Sequence, residues 1–356
     1  MITLIATIFV LSVLVFIHEL GHFLTAKMFK IRVERFSMGY PPRLVGKKIG
    51  ETDYCISAIP FGGYVKISGM VDESMDRKQL ESPPKPWEFR SKPRFQRFVV
   101  VAAGSVMNLL LALLVFSAAT WIQGIPEPQG TFLGQVLEGK PAERAGLKAK
   151  DRIVRVDGRE IATWDQLTAV VHSSPDKPLR FEWKRGDTLL TAIITPVPEK
   201  IIEKGDLHEA GLIGILPQYE IKRAGFFKSI GYGSLNCYYL TKLVLNSVIH
   251  LITGKESVKS LAGPVFIAKM AGESAKSGFG VLIEFMALLS LNLGILNLLP
   301  FPVLDGGHIL ILCIEALIRR ELPVKAKMVI QQFGMVLLVG LMLLAVYNDV
   351  LRIIQH

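Results

Sequence analysis

The sequence predicts a multi-pass α-helical membrane protein with four transmembrane helices, a membrane-associated β-hairpin or sheet, and one inserted α+β domain. Three observations predict it. Half of the 356 residues are hydrophobic and only 20% are charged, against about a quarter charged in soluble domains, and the mean hydropathy is +0.39. The apolar residues fall in blocks of about twenty, the length a helix needs to cross ~30 Å of hydrocarbon. Between the blocks lie short alternating runs punctuated by turn residues, the pattern of strands. An ordinary cytosolic enzyme is excluded.

The net charge of +10 does not point to nucleic acid. Lys and Arg cluster beside the apolar blocks, where they meet anionic headgroups and fix topology. No arginine-rich stripe with interleaved aromatics occurs. Cys55, Cys237 and Cys313 are far apart and form no CxxC pair, so they read as small buried hydrophobes.

Residues 1–26 are the first span, since Ile2 to Ala26 is apolar except for His18, Glu19 and His22. No basic stretch precedes it, and Ile17-His18-Glu19-Leu20 stands where a cleavage motif would begin. It is expected to be a retained span, not a signal peptide. Residues 27–97 carry fifteen Lys or Arg against eight Asp or Glu and read as a cytoplasmic β-loop region. Its runs are Arg32–Met38, Arg43–Ile49, Asp53–Ile59 and Tyr64–Ser68, with Gly62-Gly63 expected as a hairpin turn joining the last two. The tip from Ile59 to Val65 is apolar enough to dip into a bilayer, and Glu81–Arg97, with four prolines, reads as a linker.

Residues 98–122 are the second span, without a charge. Residues 125–200 are the inserted, extracytoplasmic domain. Its run GKPAERAGLKAKDRIVRVDGREIATWDQL, residues 139–167, predicts a short helix from Pro141 ended by Gly146, a strand Arg152–Val156, a turn at Asp157-Gly158 and a helix from about Thr163. Strands Leu179–Lys184 and Leu189–Thr195 follow. This run resembles a PDZ domain of the bacterial protease type.

Residues 201–279 are expected to be a linker and an amphipathic helix lying in the interface. Lys242, Asn246 and His250 form one polar stripe between Phe226 and Thr253. Residues 280–308 hold the third span and a broken segment after it, and 328–348 the fourth. If the basic loops 27–97 and 319–327 are cytoplasmic, the N-terminus and the inserted domain lie outside.

His18-Glu19-Leu20-Gly21-His22 is an HExxH motif on an apolar helix. Histidines at i and i+4 share a face, so both can reach one Zn²⁺ at ~2.0–2.1 Å, and Glu19 can reach a water on the metal. These groups are costly in lipid unless they pair or face a wet cavity. A zinc hydrolase needs a third protein ligand, and Asp305 in NLLPFPVLDGGH is the candidate. Pro300 and Pro302 cannot continue a helix, and irregular backbone at membrane depth needs a cavity to receive its polar groups. Parity agrees, because spans one and three run the same way and bring the ligands to the same depth. Asn108 reads as an interhelical hydrogen bond, and His308 as support for a ligand or a helix start.

HELGH on the first span, PFGGYVKI, AAGSVMNLLLA, the PDZ-like insertion and SLNLGILNLLPFPVLDGGH together resemble the site-two protease family of intramembrane zinc metalloproteases. The type that regulates sigma E in bacteria is the closest, here with room for a single PDZ domain. The resemblance implies a metalloendopeptidase of the bacterial inner membrane that cuts the transmembrane segments of single-span proteins already trimmed by another protease. Anti-sigma factors or remnant signal peptides are candidate substrates. By motif match His18, His22 and Asp305 bind zinc near the cytoplasmic side and Glu19 is the general base. Asn297, Pro300 and Pro302 line the substrate channel, and Gly62, Gly63 and Tyr64 belong to the membrane-dipping loop that meets substrate. Strand addition at Asp53–Ile59 or Tyr64–Ser68 would hold the unwound substrate. A membrane-anchored PDZ adaptor without proteolysis, or a metal transporter, are the rival readings. Beyond substrate, the expected partner is membrane lipid.

Overall fold

Long apolar runs free of interior proline become helices, and proline or glycine marks where they stop. In chain order the helices are α1 (Ile2–Met28), α2 (Arg94–Gln123), α3 (Pro141–Arg144), α4 (Trp164–His172), α5 (Phe226–Ile252), α6 (Pro264–Ser277), α7 (Phe279–Leu298), α8 (Asp305–Leu317) and α9 (Val324–Gln355). The strands are β1 (Val33–Ile49), β2 (Thr52–Ile67), β3 (Ile125–Val136), β4 (Arg152–Val156), β5 (Arg159–Glu160), β6 (Leu179–Arg185), β7 (Thr188–Ile194), β8 (Val197–Glu203), β9 (Asp206–Leu212) and β10 (Ile215–Lys222). The computed structural model describes residues 1–70, 83–203, 205–258 and 262–355, so parts of the expected 27–97 and 201–279 segments lie outside it. It divides into two compact units, Met1–Phe116 with Asn236–His356, and Ser117–Leu235.

In the first unit α1, α2, α7 and α9 are long and apolar enough to cross a membrane. Val10 and Leu14 of α1 pack with Ala271 of α6 and with Leu282 and Met286 of α7. Ala112 of α2 packs with Leu291 and Ile295 of α7. Small residues allow the helix axes to approach, as is usual where lipid removes the hydrophobic drive between helices. The helix α6 was not foreseen. Its signal is the run of small residues around Ala271, Gly272 and Ser274, all buried. The α5 segment also differs from an isolated interfacial helix, because its Cys237, Leu240 and Val244 join the Ala112–Leu291–Ile295 cluster.

The sheet of this unit corrects the expected hairpin at Gly62-Gly63. The turn falls at Gly50-Glu51, closed by the pair Ile49–Thr52. Segment 35–38 of β1 is then flanked on both sides. Phe36 faces Tyr54 and Val65, Ser37 faces Cys55 and Tyr64, and Met38 faces Ile56 and Gly63. Runs 53–56 and 63–66 are therefore separated by a third run, a non-local pairing that alternation along the chain cannot reveal. Since Asp53, Tyr54, Cys55 and Ile56 also pair with 45–48, both sides of that run are used. Tyr64–Ile67 pairs with 33–37 and, among the described residues, is the edge run of this sheet.

The expected linker ahead of α2 is a packed strap. Phe89 N–H donates to the Ser68 carbonyl at 2.8 Å and Arg32 N–H to Trp87 at 3.0 Å. Glu88 is buried, and Arg97 donates to Glu321 at 2.8 Å and to the Lys92 carbonyl at 2.7 Å.

In the second unit the predicted elements between Pro141 and Ile194 stand where the sequence puts them. Thr163 caps α4 with Gln166 in a reciprocal capping box, worth about 1 kcal/mol. The sheet runs β10-β3-β4-β6-β7, with β5 on β4, beside a separate β8-β9 hairpin. Phe181, Leu133, Ile153, Leu167 and Ile213 form its core, each contributing about 1.5–3 kcal/mol on burial. The expected end at residue 200 is corrected to 222, because β10 hydrogen-bonds along β3, from Ile215–Val136 to Lys222–Ile125. That pairing spans some eighty positions and leaves no local trace.

Candidate metal centre and cleft

The centre is built by three elements of the first unit. The α1 helix presents His18 and His22 one turn apart. After α7 ends at Leu298, the chain turns through Pro300 and Pro302 and restarts as α8 with Asp305 in its first turn. The broken stretch satisfies its own backbone, with Phe301 N–H donating to Leu299 at 2.7 Å, Leu304 to Phe301 at 3.2 Å and Gly307 to Leu304 at 2.9 Å. Val303 sits at φ +81°, a strained left-handed conformation for a β-branched residue, and so swings the chain back toward α1. A side chain at Gly306 would run into the carbonyls of Leu298 and Leu299, which is why glycine follows the aspartate.

His18 Nε2 lies 3.2 Å from His22 Nε2. His18 Nε2 is 3.5 Å from Asp305 Oδ2, and His22 Nε2 is 3.5 Å from Asp305 Oδ1. One ligand atom from each residue falls within 4.8 Å of the others. Four donors at ~2.0–2.1 Å around a tetrahedral zinc are spaced by roughly 3.3 Å, which the His18–His22 separation meets, while Asp305 turns one oxygen toward each imidazole. Protonation supports the same fit. His22 Nδ1 is 2.8 Å from the Val100 carbonyl, which only accepts, so the proton sits on Nδ1 and Nε2 carries a lone pair. Two imidazoles, one with its lone pair fixed on Nε2, and a carboxylate, all drawn together with little solvent contact, suit a cation.

The centre opens into a cavity of about 590 Å³. Its lining includes Glu19, Asn297, Asp305 and His308, the strand Gly63–Ile67, and Gln331. The structure thus brings together His18, Glu19, His22, Asn297, Asp305, Gly63 and Tyr64. It leaves Pro300, Pro302 and Gly62 outside the lining. Pro302 packs against Gly334 of α9, and Gly62 against the Tyr40 ring. Both prolines shape the break; neither faces the cleft.

Several contributors were not read from the sequence. Ser105 Oγ donates to Asp305 Oδ2 at 2.8 Å, and Gln331 Nε2 lies 3.0 Å from Nε2 of His308, the one of these expected as support for a ligand. The edge position of Val65, Lys66 and Ile67 is a product of pairing alone. Ser105 stands in the AAGSVMN run beside Gly104, whose place against both imidazoles only the packing reveals.

Comparison with known proteins came out uniformly. The family model described as Peptidase family M50 matches residues 6–341. A candidate zinc metalloprotease of Clostridium perfringens is 35% identical, covering 96% of both chains. The regulator of sigma-W protease RasP of Bacillus subtilis is 29% identical over 99% of both chains, and the zinc metalloprotease RasP of Geobacillus kaustophilus is 28% identical over 98% of this chain and 97% of its own. Among solved structures, the PDZ domain of an SdrC-like protein from Listeria monocytogenes aligns with 25% of this chain and 86% of its own, at 25% identity and a TM-score of 0.21.

Proposed function

The chain belongs to peptidase family M50, a zinc metalloendopeptidase in a bacterial membrane, and from that premise we propose that it cuts the transmembrane segments of single-span proteins inside the bilayer. The observation that carries this reading is the convergence of His18, His22 and Asp305, from helices long and apolar enough to span or adjoining one that is, on a cleft that also holds Glu19. His18, His22 and Asp305 hold the zinc. When bound, zinc supplies Lewis acidity that polarises a carbonyl and brings the pKa of water near 7.

The residues divide the remaining work. Glu19 takes the proton of the attacking water and passes it to the leaving amide nitrogen. A helical substrate hides its peptide bonds, so it must unwind. The edge run Tyr64–Ile67, which lines the cavity, accepts the extended segment as an added strand, and Asn297 hydrogen-bonds the backbone that unwinding frees. The stretch 53–56 of the other candidate run is less suited to this role, because both of its sides are already paired.

Orientation follows from charge. With the basic loops 27–97 and 319–327 inside, the centre lies toward the cytoplasmic side of the inner membrane and the PDZ-type domain lies outside. Standing there, that domain admits substrates already trimmed by another protease. Anti-sigma factors fit this reading, as do remnant signal peptides.

Co-expression with a panel of single-span proteins, wild type against Glu19→Gln, tests the proposal. The expected result is cleavage by wild type and accumulation of uncut substrate with the variant. Equal cleavage by both overturns it, and equal function of both without cleavage returns the adaptor reading.

A further inference from the structure

We infer that α2 is the orienting helix of the metal centre, with the Asn108 amide oxygen and the Ser105 hydroxyl acting as positioning groups that aim His18 and Asp305. The inference rests on the ligand assignment above and deepens it. Each of the three ligands has its outer contact on one face of α2. Val100 meets His22 Nδ1 through its carbonyl at 2.8 Å. Ser105 donates to Asp305 Oδ2 at 2.8 Å. Asn108 lies 3.4 Å from His18 Nδ1. At 3.6 residues per turn the three positions fall within an arc of about 140°, with Ser105 and Asn108 one turn apart on one face.

Close approach makes this face a platform. A Cβ at Gly104 would strike His22 Nε2 and the Cε1 atoms of both imidazoles, so only glycine lets the backbone lie directly against the rings. The face is pinned from behind as well. Ser290 of α7 donates to the Asn108 carbonyl at 2.8 Å, and Gly294 of the same helix sits against the Ser105 carbonyl.

Asn108 carries the strongest indication. It is fully buried, yet its Oδ1 has no hydrogen-bond partner while its Nδ2 faces His18 Nδ1. Turning the amide about its last bond exchanges two atoms of nearly the same shape. The oxygen then accepts from His18 Nδ1–H, the orphan acceptor is satisfied, and the lone pair of His18 is held on Nε2, toward Asp305. His22 is fixed in the same tautomer by Val100. Ser105 meanwhile bonds the carboxylate oxygen that faces His18, so Asp305 presents one oxygen to each imidazole. Outer partners of this kind set ligand tautomer and rotamer, and losing one typically weakens metal binding 10–100-fold.

Zinc affinity, measured by chelator competition on detergent-purified monodisperse protein, tests this without reference to cleavage. Asn108→Leu keeps the shape and removes the acceptor, Asn108→Asp keeps an acceptor oxygen, Ser105→Ala removes the donor, and His22→Ala removes a ligand. The expected result is a loss of about 10–100-fold for Asn108→Leu and for Ser105→Ala, recovery to within a few-fold in Asn108→Asp, and a changed cobalt(II) electronic spectrum in the weakened variants. A role in helix packing alone would lower the unfolding temperature of the metal-free protein and leave zinc affinity unmoved. Wild-type affinity in both Asn108→Leu and Ser105→Ala, with zinc lost in His22→Ala, overturns the inference and spares the ligand assignment. Tight zinc binding by His22→Ala overturns the ligand assignment itself.

Discussion

Asp349, near the end of α9, caps the helix that begins after Gly263. One carboxylate oxygen accepts the Gly263 N–H at 3.0 Å, and the other accepts Val265 and Phe266, each at 3.0 Å. A helix start normally finds its cap in its own sequence; here a carboxylate from more than eighty positions later supplies it. Since α6 packs on α1 through Ala271, this cap indirectly steadies the helix that carries HExxH. Asp349→Ala leaves one buried and two part-buried donors without the carboxylate and is expected to cost about 1–3 kcal/mol, seen as a lower thermal midpoint in detergent. An unchanged midpoint would show that water caps the helix equally well.

The sheet edge makes a second expectation. Lys66 lies on the edge run of the sheet and lines the cavity, whereas Lys47 lies on the far run, outside it. A photo-crosslinker at position 66 in the Glu19→Gln background should capture single-span substrates, and one at position 47 should not. Capture at 47 with none at 66 would place the substrate on the other edge.

Glu315 is buried with its carboxylate 2.6 Å from Lys327 Nζ and 2.8 Å from the Leu322 N–H. Removing one member of such a pair strands the other, at about 3–5 kcal/mol. Glu315→Leu should therefore destabilise strongly, and the Glu315→Leu, Lys327→Met double variant should recover most of the loss. Additive losses in the double-mutant cycle would mean the two groups do not interact.

Asp53 holds the exposed corner of the sheet. Its hydrogen bond from Arg43, helped by the charges of Arg43 and Arg35, keeps the carboxyl below the usual carboxylate range, and Arg35 in turn donates to the Tyr64 hydroxyl at 3.0 Å. A depressed folded-state pKa stabilises above the unfolded value and is lost as pH falls through the folded one. Thermal midpoints of wild type and Asp53→Asn should accordingly differ by a constant amount at neutral pH and converge below about pH 4. A gap that does not narrow at all as pH falls from neutral through the acid range would assign the difference to something other than ionisation.

Much of this was legible in the chain. The four apolar helices, the HExxH pair and the DGG aspartate each rest on a short-range pattern: length of apolar run, i to i+4 spacing, proline break. The PDZ-like elements from Pro141 to Ile194 were readable because turn and cap residues mark each boundary. What escaped depends on partners distant in sequence. The Tyr64–Ile67 edge exists because 35–38 inserts between two runs that look like neighbours. The strand β10 belongs with β3, and Ser105 meets Asp305 two hundred positions away. In each case the residue types are unremarked locally and gain meaning only from what packs against them.

Metal content of purified protein tests the central claim most directly, that two imidazoles and one carboxylate hold a single zinc. Elemental analysis should find about one zinc per chain in wild type and in Glu19→Gln, and little in His18→Ala, His22→Ala or Asp305→Ala. Full zinc occupancy in Asp305→Ala, with the protein still monodisperse, would contradict the account.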